Sequence, residues 1–458
     1  MQRPRPFPTA AKPATYNTRM KHPTDVFSKT DERFMRRALS LAARGRGSVE
    51  PNPMVGCVLV RDGRILAEGY HRKFGGPHAE VDALNRSGDA RGAAAYVTLE
   101  PCCHHGKTGP CTEALLAAGV TRVVAAMTDP FPQVAGRGLE TLRRAGVHVA
   151  AGLLQDDARL LNAPYLKRLS TGLPWVILKW AQSIDGKLAT AAGHSQWITS
   201  DLARKQAHRI RGYADAVVVG AGTVAADDPQ LTCRMVKPRR LARRIVVDGR
   251  LRVPLYSQLV RTARQVPVLI ATTEQAAGDH PQKVDALRDE GCEVLALPQI
   301  APGRIDLNAL LSWCGGQQMT NVMVEGGGHL IGQFLDARLA DELAVFIAPI
   351  LIGGGAPAPA AIQTCSNPVP PPAGEPFATS FRSGTPLFPE SAAPFPAGRR
   401  SAHAPVSSGP RGPGPAGVAA VTPWPGGVHD LAGAPRLRRV RLRQLGPDLC
   451  LQGHIVWP

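Results

Sequence analysis

The stretch from residue 77 to residue 111, PHAEVDALNRSGDARGAAAYVTLEPCCHHGKTGPC, decides the fold of the N-terminal half of this chain. Among its histidines and cysteines, His78, Cys102 and Cys111 together suit Zn²⁺ as three ligands and leave a fourth position for water. Glu80 follows His78 by two positions, and we expect it to move protons rather than to bind the metal. This set is typical of zinc-dependent deaminases, although here the two cysteines lie nine positions apart.

The local context of the ligands supports a catalytic metal. His78 and Cys102 each follow a proline, and we expect both at points where a strand or loop turns into a helix. The positive end of a helix stabilises thiolate and hydroxide. Zinc lowers the pKa of a bound water to about 7, and Glu80 can then accept the proton and deliver it to departing ammonia. The pattern therefore predicts hydrolytic deamination of an amino-substituted heterocycle.

Several alternatives at this site stay open. The zinc could be purely structural, or no metal could bind. Cys103 could replace Cys102 as a ligand, but Cys102 directly follows a proline and is preferred. In the loop between the two cysteines, His104, His105 and Lys107 could contact a substrate phosphate or could simply be solvated.

The composition predicts a soluble, cytoplasmic protein. The 458 residues are 44% hydrophobic, with no apolar run long enough for a membrane helix and no signal peptide in the first thirty residues. The nine cysteines are sparse, which favours a metal site in a reducing compartment over a disulfide framework. A formal charge of +18 suits contact with phosphate on a nucleic acid, a nucleotide or a metabolite, or it reflects arginine-rich solvated faces.

Shifts in composition divide the chain into five segments. Apolar residues recur at helical and strand spacing from residue 30 onward, whereas the preceding residues are basic and interrupted by prolines. A later tract is rich in proline, lacks lysine and is either a disordered insertion or a frame-shifted translation. The predicted segments are a disordered extension (1–29), a zinc deaminase domain (30–152), a helical connector (153–174), a second α/β domain (175–355 with 428–458) and the Pro-rich tract (356–427).

The second α/β domain has features of a nucleotide-binding protein. Strand-like runs alternate there with helices, which predicts a largely parallel sheet. Two predicted strands end in glycine turns, at residues 220–223 and 325–328. A strand that runs through glycines into a helix presents backbone N–H groups to phosphate, so the two turns favour a nucleotide site. Neither has the G-x-G-x-x-G pattern, and a standard Rossmann domain is not supported.

Four motifs of the N-terminal half occur together in one known family. They are Pro51-Asn52-Pro53, His78-Ala79-Glu80, Thr98-Leu99-Glu100-Pro101-Cys102 and His104-His105-Gly106-Lys107-Thr108 before Cys111. They closely resemble the motifs of the bifunctional riboflavin-biosynthesis deaminase/reductase family, including the long loop between the cysteines. The resemblance implies an α/β chain, with an N-terminal cytidine-deaminase-like α/β/α domain and a C-terminal dihydrofolate-reductase-like α/β domain. It also implies that Asn52 lines the pyrimidine pocket.

The resemblance extends over the second domain and implies an NADPH-dependent reductase. It covers about residues 30 to 355 and returns at roughly 428 to 452. The residues that the resemblance implies for NADPH contact are Ala181, Trp197, Thr223, Asp227 and Gly327. Those that it implies for contact with the phosphoribosyl substrate are Ser195, Arg211, Leu231, Arg234 and Glu325. The two arginines suit this role because a guanidinium group binds phosphate at two points.

By this resemblance the chain would catalyse two consecutive steps of riboflavin synthesis, with Zn²⁺ and NADPH as cofactors. The first domain would deaminate 2,5-diamino-6-(5-phosphoribosylamino)pyrimidin-4-one, and the second would reduce the ribosyl group to ribityl. The expected partner is this small phosphorylated pyrimidine, with no nucleic acid and no membrane, and self-association as a homo-oligomer is expected from the resemblance. The alternatives are an active deaminase with an impaired reductase and a nucleic-acid base deaminase, which the aromatic content of 5% disfavours.

Overall fold

A computed structural model of the chain describes residues 27–105, 109–131, 134–190, 193–353, 427–428 and 431–458. The predicted extension 1–29 and the predicted Pro-rich tract 356–427 therefore lie almost entirely outside the described residues. In the described part, two large sheets follow one another along the chain, joined by a pair of helices. None of the described helices has the length and apolar character that crossing a membrane requires.

The first sheet has five strands in the order β2-β1-β3-β4-β5, with β1 antiparallel to β2 and β3 and with β3, β4 and β5 parallel. The elements are α1 (Lys29–Ala42), β1 (Gly56–Arg61), β2 (Arg64–Tyr70), α2 (Ala79–Ser87), β3 (Ala94–Val97), α3 (Cys111–Ala117), β4 (Arg122–Ala125), α4 (Arg137–Arg144) and β5 (His148–Ala151). Two helices follow as the connector, α5 (Gln155–Leu161) and α6 (Ala163–Thr171).

Alternation along β1 explains why helices cover both faces of this sheet. Cys57 and Leu59 point into a core formed with α2, α3 and α4, whereas Val58 and Val60 point into a core formed with α1 and α5. Because successive strand residues face opposite sides, an almost wholly apolar strand must be buried on both faces. The β1–β2 hairpin is confirmed, and its two turn residues, Asp62 and Gly63, have φ values of 50° and 71°, the positive values that a tight hairpin turn needs.

The second sheet has nine strands in the order β10-β9-β8-β7-β13-β6-β14-β16-β15. Its elements are β6 (Trp175–Ser183), α7 (Asp201–Arg211), β7 (Ala216–Gly220), α8 (Ala221–Asp227), β8 (Arg243–Val247), α9 (Gln258–Arg261), β9 (Val268–Thr273), α10 (Glu274–Asp279), α11 (Pro281–Asp289), β10 (Glu293–Leu297), α12 (Leu307–Gly316), β13 (Asn321–Glu325), α13 (Gly328–Asp336), β14 (Glu342–Ala348), β15 (Arg436–Leu445) and β16 (Asp448–Val456), with a separate small pair β11 (Gln299–Ala301) and β12 (Arg304–Ile305).

The predicted, largely parallel sheet is confirmed. All pairings from β10 to β14 are parallel, whereas β16 is antiparallel to both β14 and β15 at one edge. Helices α12 and α13 pack on one face, and α7, α8, α9 and α11 pack on the other. The two strands that follow the Pro-rich tract therefore belong to the same sheet as the strands that precede it.

Candidate active sites

The predicted metal ligands lie together beside the first sheet. One nitrogen of His78 and the Sγ atoms of Cys102 and Cys111 are all within 4.8 Å of one another. The Nδ1 atom of His78 lies 3.3 Å from Sγ of Cys111 and 3.4 Å from Sγ of Cys102. One imidazole and two thiols at these separations surround a space suited to a single Zn²⁺ ion.

Helix ends position two of the three ligands. His78 is the N-cap residue of α2, and Cys111 is the first residue of α3. The expectation that a helix begins at Cys102 is wrong, because residues 102–105 and 109–110 are irregular and the helix begins only at Cys111. The proline before Cys102 ends the preceding segment rather than starting a helix.

Tight packing fixes the position of α2. A Cβ atom on Gly69 of β2 would lie 2.3 Å from the carbonyl oxygen of Ala79 and from the amide nitrogen of Ala83. Only glycine therefore lets the helix approach the strand this closely. The first turn of α2, which carries the ligand and Glu80, is held at one place above the sheet.

A buried carboxylate, Glu100, anchors the chain two residues before Cys102. Glu100 is 4% exposed. Its two oxygens accept four backbone hydrogen bonds of 2.8–3.2 Å, from Asp129, Gly136, Gly138 and Leu139. A carboxylate surrounded by N–H donors at the start of α4 is a rigid anchor, because it accepts hydrogen bonds from backbone N–H groups that would otherwise be unpaired.

Electrostatics favour a thiolate at this site. Hydrogen bonding with Cys111 lowers the pKa of Cys102, burial opposes that change, and hydrogen bonding with His78 lowers it further, to about 4. The amide nitrogen of Cys111 also donates to Sγ of Cys102, at 3.3 Å. A thiolate is the form in which cysteine binds a metal.

Glu80 is a buried acid without a fixed partner for one of its oxygens. It is 3% exposed, and no described protein atom bonds its Oε2 atom. Burial and the negative charge of Cys102 raise the pKa of Glu80 to about 7, whereas His78 lowers it. A carboxyl group with these properties exchanges a proton near neutral pH, as a general acid–base catalyst requires. The donor set and this free oxygen both fit a catalytic rather than a closed structural zinc site.

His71 is a neighbour of the ligands that the sequence analysis did not single out. It is 3% exposed, and its ring meets the ring of His78 edge-on, with 5.5 Å between the centroids. Its Nδ1 atom lies 2.9 Å from the carbonyl oxygen of Pro77, and its Nε2 atom lies 3.5 Å from the side-chain Nδ2 atom of Asn52. One side chain, that of His71, thus lies between Asn52 and the metal ligand His78. Asn52 also lines a small cavity between the two sheets.

The loop between the cysteines is described only in part. His105 pairs with Glu113 at 3.4 Å, and both side chains are exposed. His104 lies beside Phe131, with 6.4 Å between the ring centroids. Lys107 lies outside the described residues. The roles weighed for this loop, contact with a substrate phosphate or simple solvation, stay predictions.

A large cavity of about 910 Å³ opens at the carboxyl ends of the central strands of the second sheet. All ten reductase residues expected from the resemblance line it, namely Ala181, Ser195, Trp197, Arg211, Thr223, Asp227, Leu231, Arg234, Glu325 and Gly327. In a parallel α/β sheet the carboxyl ends of the strands are where ligands bind. A volume of this size suits a cofactor together with a substrate.

The two glycine turns meet inside this cavity. The hydroxyl oxygen of Thr223, at the start of α8, accepts a hydrogen bond of 3.2 Å from the amide nitrogen of Gly327. A Cβ atom on Gly326, which has φ of 113°, would lie 2.6 Å from that hydroxyl oxygen. The turns can touch only because β7 and β13 are neighbours in the sheet and because glycine occupies this position.

Cations outnumber acids at one end of the cavity. Arg211 bonds Glu325 with Nε and Nη2, and it donates from Nη1 to the carbonyl oxygen of Thr232. The Nζ atom of Lys179 lies 3.7 Å from Glu325. Arg234 is exposed overall, but its partial burial and the charge of Arg211 together lower its pKa. Three cations against one carboxylate favour an anionic ligand.

Two further residues of this wall were not predicted to contact ligands, Lys179 and His208. Burial lowers the pKa of Lys179, the charge of Glu325 opposes this change, and the charge of Arg211 supports it. Burial, Arg211 and Arg234 lower the pKa of His208 to about 4. Its Nδ1 atom accepts a hydrogen bond of 3.3 Å from the amide nitrogen of Arg234, which ties α7 to the loop that carries this arginine. The only signal for these two residues in the sequence was a polar side chain on an otherwise apolar strand or helix face.

Two protein-family models match the chain, one over each site. The cytidine and deoxycytidylate deaminase zinc-binding region matches residues 28–127, and the RibD C-terminal domain matches residues 174–365. The fold and the two sites therefore define a zinc-binding deaminase domain joined to a reductase domain, whose family implies a nicotinamide cofactor. This confirms the expected fold class.

Curated relatives cover both domains. The riboflavin biosynthesis protein RibD of Escherichia coli (strain K12) is 46% identical over 339 residues, which are 71% of this chain and 89% of the relative. RibD of Aquifex aeolicus (strain VF5) is 42% identical over 331 residues, which are 72% of this chain and 90% of the relative. The chain belongs to the RibD family of riboflavin biosynthesis proteins, and the resemblance of its motifs is confirmed.

Solved structures agree with this assignment. Acinetobacter baumannii RibD, form 1, has a TM-score of 0.69 and 32% sequence identity, and the match covers 93% of this chain and 99% of that chain. The diaminohydroxyphosphoribosylaminopyrimidine deaminase/5-amino-6-(5-phosphoribosylamino)uracil reductase of Thermotoga maritima has a TM-score of 0.67 and 30% identity, with the same coverage. The two-domain architecture is therefore that of the family.

Proposed function

We propose that this chain catalyses two consecutive reactions of riboflavin biosynthesis. Residues 30–152 hydrolyse the 2-amino group of 2,5-diamino-6-(5-phosphoribosylamino)pyrimidin-4-one, with release of ammonia. Residues 175–355 with 428–458 then reduce the ribosyl group of the deaminated product to ribityl, with NADPH as the hydride donor. The proposal rests above all on the meeting of His78, Cys102 and Cys111 within 4.8 Å, beside an acid that is 3% exposed, Glu80.

In the deaminase site, Glu80 moves the protons. Zinc held by His78, Cys102 and Cys111 supplies Lewis-acid activation of water. The carboxylate of Glu80 takes a proton as water adds to the ring carbon, and returns it to the amino nitrogen as the carbon–nitrogen bond breaks. Burial raises the pKa of Glu80 above its ordinary value, which suits both halves of this transfer, because an acid–base catalyst works best when its pKa is near the working pH.

In the reductase site, the positively charged end of the cavity binds the sugar phosphate. Arg234 is exposed to the cavity, whereas Glu325 and Thr232 already engage all three nitrogens of Arg211. Arg234 therefore makes the main phosphate contact, and Arg211 holds Glu325 in place. NADPH supplies the hydride, and the two glycine turns, at residues 220–223 and 325–328, offer backbone N–H groups other than that of Gly327 to its phosphates.

The reduction also consumes a proton, which we assign to Lys179. Lys179 lines the cavity and is one of the few groups there that can release a proton. Its lowered pKa makes that release easier than from an exposed lysine. Glu325 lies 3.7 Å away and keeps the ammonium group oriented.

The two reactions are tested together with the diaminopyrimidinone phosphate as the sole substrate. Ammonia release and NADPH consumption are measured for the wild-type chain, for Glu80→Gln and for Glu140→Gln, which alters an exposed acid on α4. The wild type and Glu140→Gln are expected to show both signals, and Glu80→Gln neither, because its reductase receives no deaminated product. Supplied directly with 5-amino-6-(5-phosphoribosylamino)uracil, Glu80→Gln should oxidise NADPH at the wild-type rate.

Each part of the proposal has its own contradicting outcome. No ammonia from the wild type would exclude the deaminase reaction. Ammonia without NADPH consumption would support the alternative of an active deaminase with an impaired reductase.

A further inference from the structure

We propose that Asn162, in the connector, is a positioning residue for the deaminase reaction. Its side chain holds the loop Glu50–Met54, and with it Asn52, beside the metal ligands. The inference rests on the deaminase function proposed above. It assigns part of that site to a residue beyond the first sheet and far from the metal ligands in the sequence.

The amide of Asn162 binds the loop at two points. Its Oδ1 atom accepts a hydrogen bond of 2.8 Å from the amide nitrogen of Met54, and its Nδ2 atom donates one of 3.0 Å to the carbonyl oxygen of the same residue. Asn162 is 1% exposed. A side-chain amide both donates and accepts a hydrogen bond, as the backbone of a neighbouring β-strand would. Few other side chains can pair with both the N–H and the C=O group of one residue.

The backbone of Asn162 is itself rigid, because the residue joins two helices. It is the C-cap residue of α5 and the N-cap residue of α6. Its amide nitrogen donates to Ala158 and its carbonyl oxygen accepts from Leu166, at 3.1 and 2.9 Å. A side chain mounted on such a junction has little freedom, so it can define where the loop lies.

The loop depends on such contacts because residues 51–55 form no helix or strand. Other contacts from outside the first sheet are longer. Arg240, which precedes β8, donates to the carbonyl oxygen of Glu50 at 3.1 Å, and Arg168 of α6 reaches the carbonyl oxygen of Pro51 at 3.5 Å. Both arginine contacts lie nearer the surface. The shortest and most buried of these contacts are those of Asn162.

A displaced loop would shift Asn52, which lies beside the metal ligands. The side chain of Asn52 lies 3.5 Å from Nε2 of His71, whose ring packs edge-on against the metal ligand His78. The amide nitrogen of His71 also donates to the carbonyl oxygen of Val55 at 2.9 Å. The ligands themselves lie at α2, at α3 and after β3, outside this loop, and would keep their places.

These contacts predict a specific kinetic defect. Without the amide of Asn162 the loop loses its two shortest buried contacts. Asn52, which is expected to line the pyrimidine pocket, is then held less firmly and the pyrimidine binds less tightly, whereas the metal ligands and Glu80 keep their places. The Michaelis constant for deamination should rise roughly tenfold, as expected when about two buried hydrogen bonds are lost, with a smaller change in kcat. The zinc content and the reductase kinetics should stay unchanged.

The test compares Asn162→Asp and Asn162→Ala with a control, Lys167→Met. Aspartate keeps the size of the side chain and the acceptor for Met54 but cannot donate to its carbonyl oxygen. The control breaks another connector contact, the 2.5 Å ion pair between Lys167 and Asp341, which does not involve the loop. For each protein, deamination kinetics, NADPH oxidation with the deaminated substrate and zinc per chain are measured.

The expected result is a raised Michaelis constant for deamination in both Asn162 variants, with zinc and reductase activity as in the wild type. An unchanged constant in either variant would overturn the inference, and so would the same increase in Lys167→Met. If Asn162→Ala alone loses both activities, that variant has unfolded. The Michaelis constant for deamination in Asn162→Asp then decides whether the inference holds. If the wild type releases no ammonia, the proposed deaminase function fails instead.

Discussion

Arg211 and Glu325 form a two-point ion pair in the wall of the large cavity. The Nε atom of Arg211 lies 2.9 Å from Oε1 of Glu325, and Nη2 lies 2.8 Å from Oε2. The side chains are 11% and 8% exposed, and Lys179 shares the same carboxylate. A charged pair this deeply buried depends on both partners, because removal of either one leaves an uncompensated charge.

We therefore expect Glu325→Gln to destabilise the protein and to abolish reduction. Arg211 and Lys179 would be left buried without a counter-charge, which costs about 3 kcal/mol or more. Glu293→Gln is the control, because Glu293 lies on the edge strand β10 of the same sheet with its side chain 49% exposed, and exposed pairs contribute about 0–1 kcal/mol. Urea unfolding and NADPH oxidation measure the two effects. Equal losses of unfolding free energy in the two variants would show that burial of the pair is unimportant.

Arg234→Met should weaken binding of the phosphorylated reductase substrate. Loss of a charge-assisted hydrogen bond to phosphate removes about 1.5–3 kcal/mol of binding, so the Michaelis constant should rise roughly ten- to a hundredfold. The constant for NADPH should change little. Arg288→Met on α11, whose ion pair with Asp285 is exposed, is the matched control. A normal constant for the substrate in Arg234→Met would exclude the assigned role.

Cys102→Ser should remove the metal and the deaminase activity but leave the reductase intact. The ligand set loses one of its two thiolates, whereas the reductase cavity lies in the other sheet. Cys103→Ser changes the adjacent thiol, which is not part of the ligand cluster, and should keep both zinc and ammonia release. Zinc per chain and both activities are the measurements. Loss of zinc in Cys103→Ser would reverse the assignment of the two cysteines.

The free energy of unfolding should fall in acid, partly because Asp31 becomes protonated. Burial alone would raise its pKa, but hydrogen bonds from Arg122, Tyr96 and Ser28 outweigh burial and lower it below its ordinary value of 3.8. The stabilisation is therefore complete above pH 3.8 and is lost as the pH falls towards the lower folded-state pKa. Asp31→Asn should lose about 2 kcal/mol at pH 7 and should approach the wild type below pH 3.8.

Thermal unfolding between pH 7 and pH 2.5 tests this sign. Glu32→Gln changes the next residue of α1, an acid whose side chain is 46% exposed and pairs with the exposed Arg36, and should follow the wild type throughout. A gap between Asp31→Asn and the wild type that widened on acidification would contradict the prediction.

Local patterns were readable because their chemistry depends on residue type and short spacing. The ligands His78, Cys102 and Cys111 and the acid Glu80 could be found in 35 letters of sequence, since few residue types bind zinc. The β1–β2 hairpin was readable for a similar reason, because Asp62 and Gly63 suit the positive φ of a tight turn. The helix expected at Cys102 was wrong, because the described residues between Cys102 and Cys111 belong to the irregular loop between the ligands, and α3 begins only at Cys111.

The sequence by itself thus determined the class of chemistry, the alternation of strands and helices and the residues that suit each site. Only the tertiary structure decided which of them meet. Arg211 reaches Glu325 across 114 positions because β13 lies between β7 and β6, and Asn162 reaches Met54 across 108 because the connector folds back on the first sheet. Such contacts depend on strand order and packing, which single residues do not encode locally.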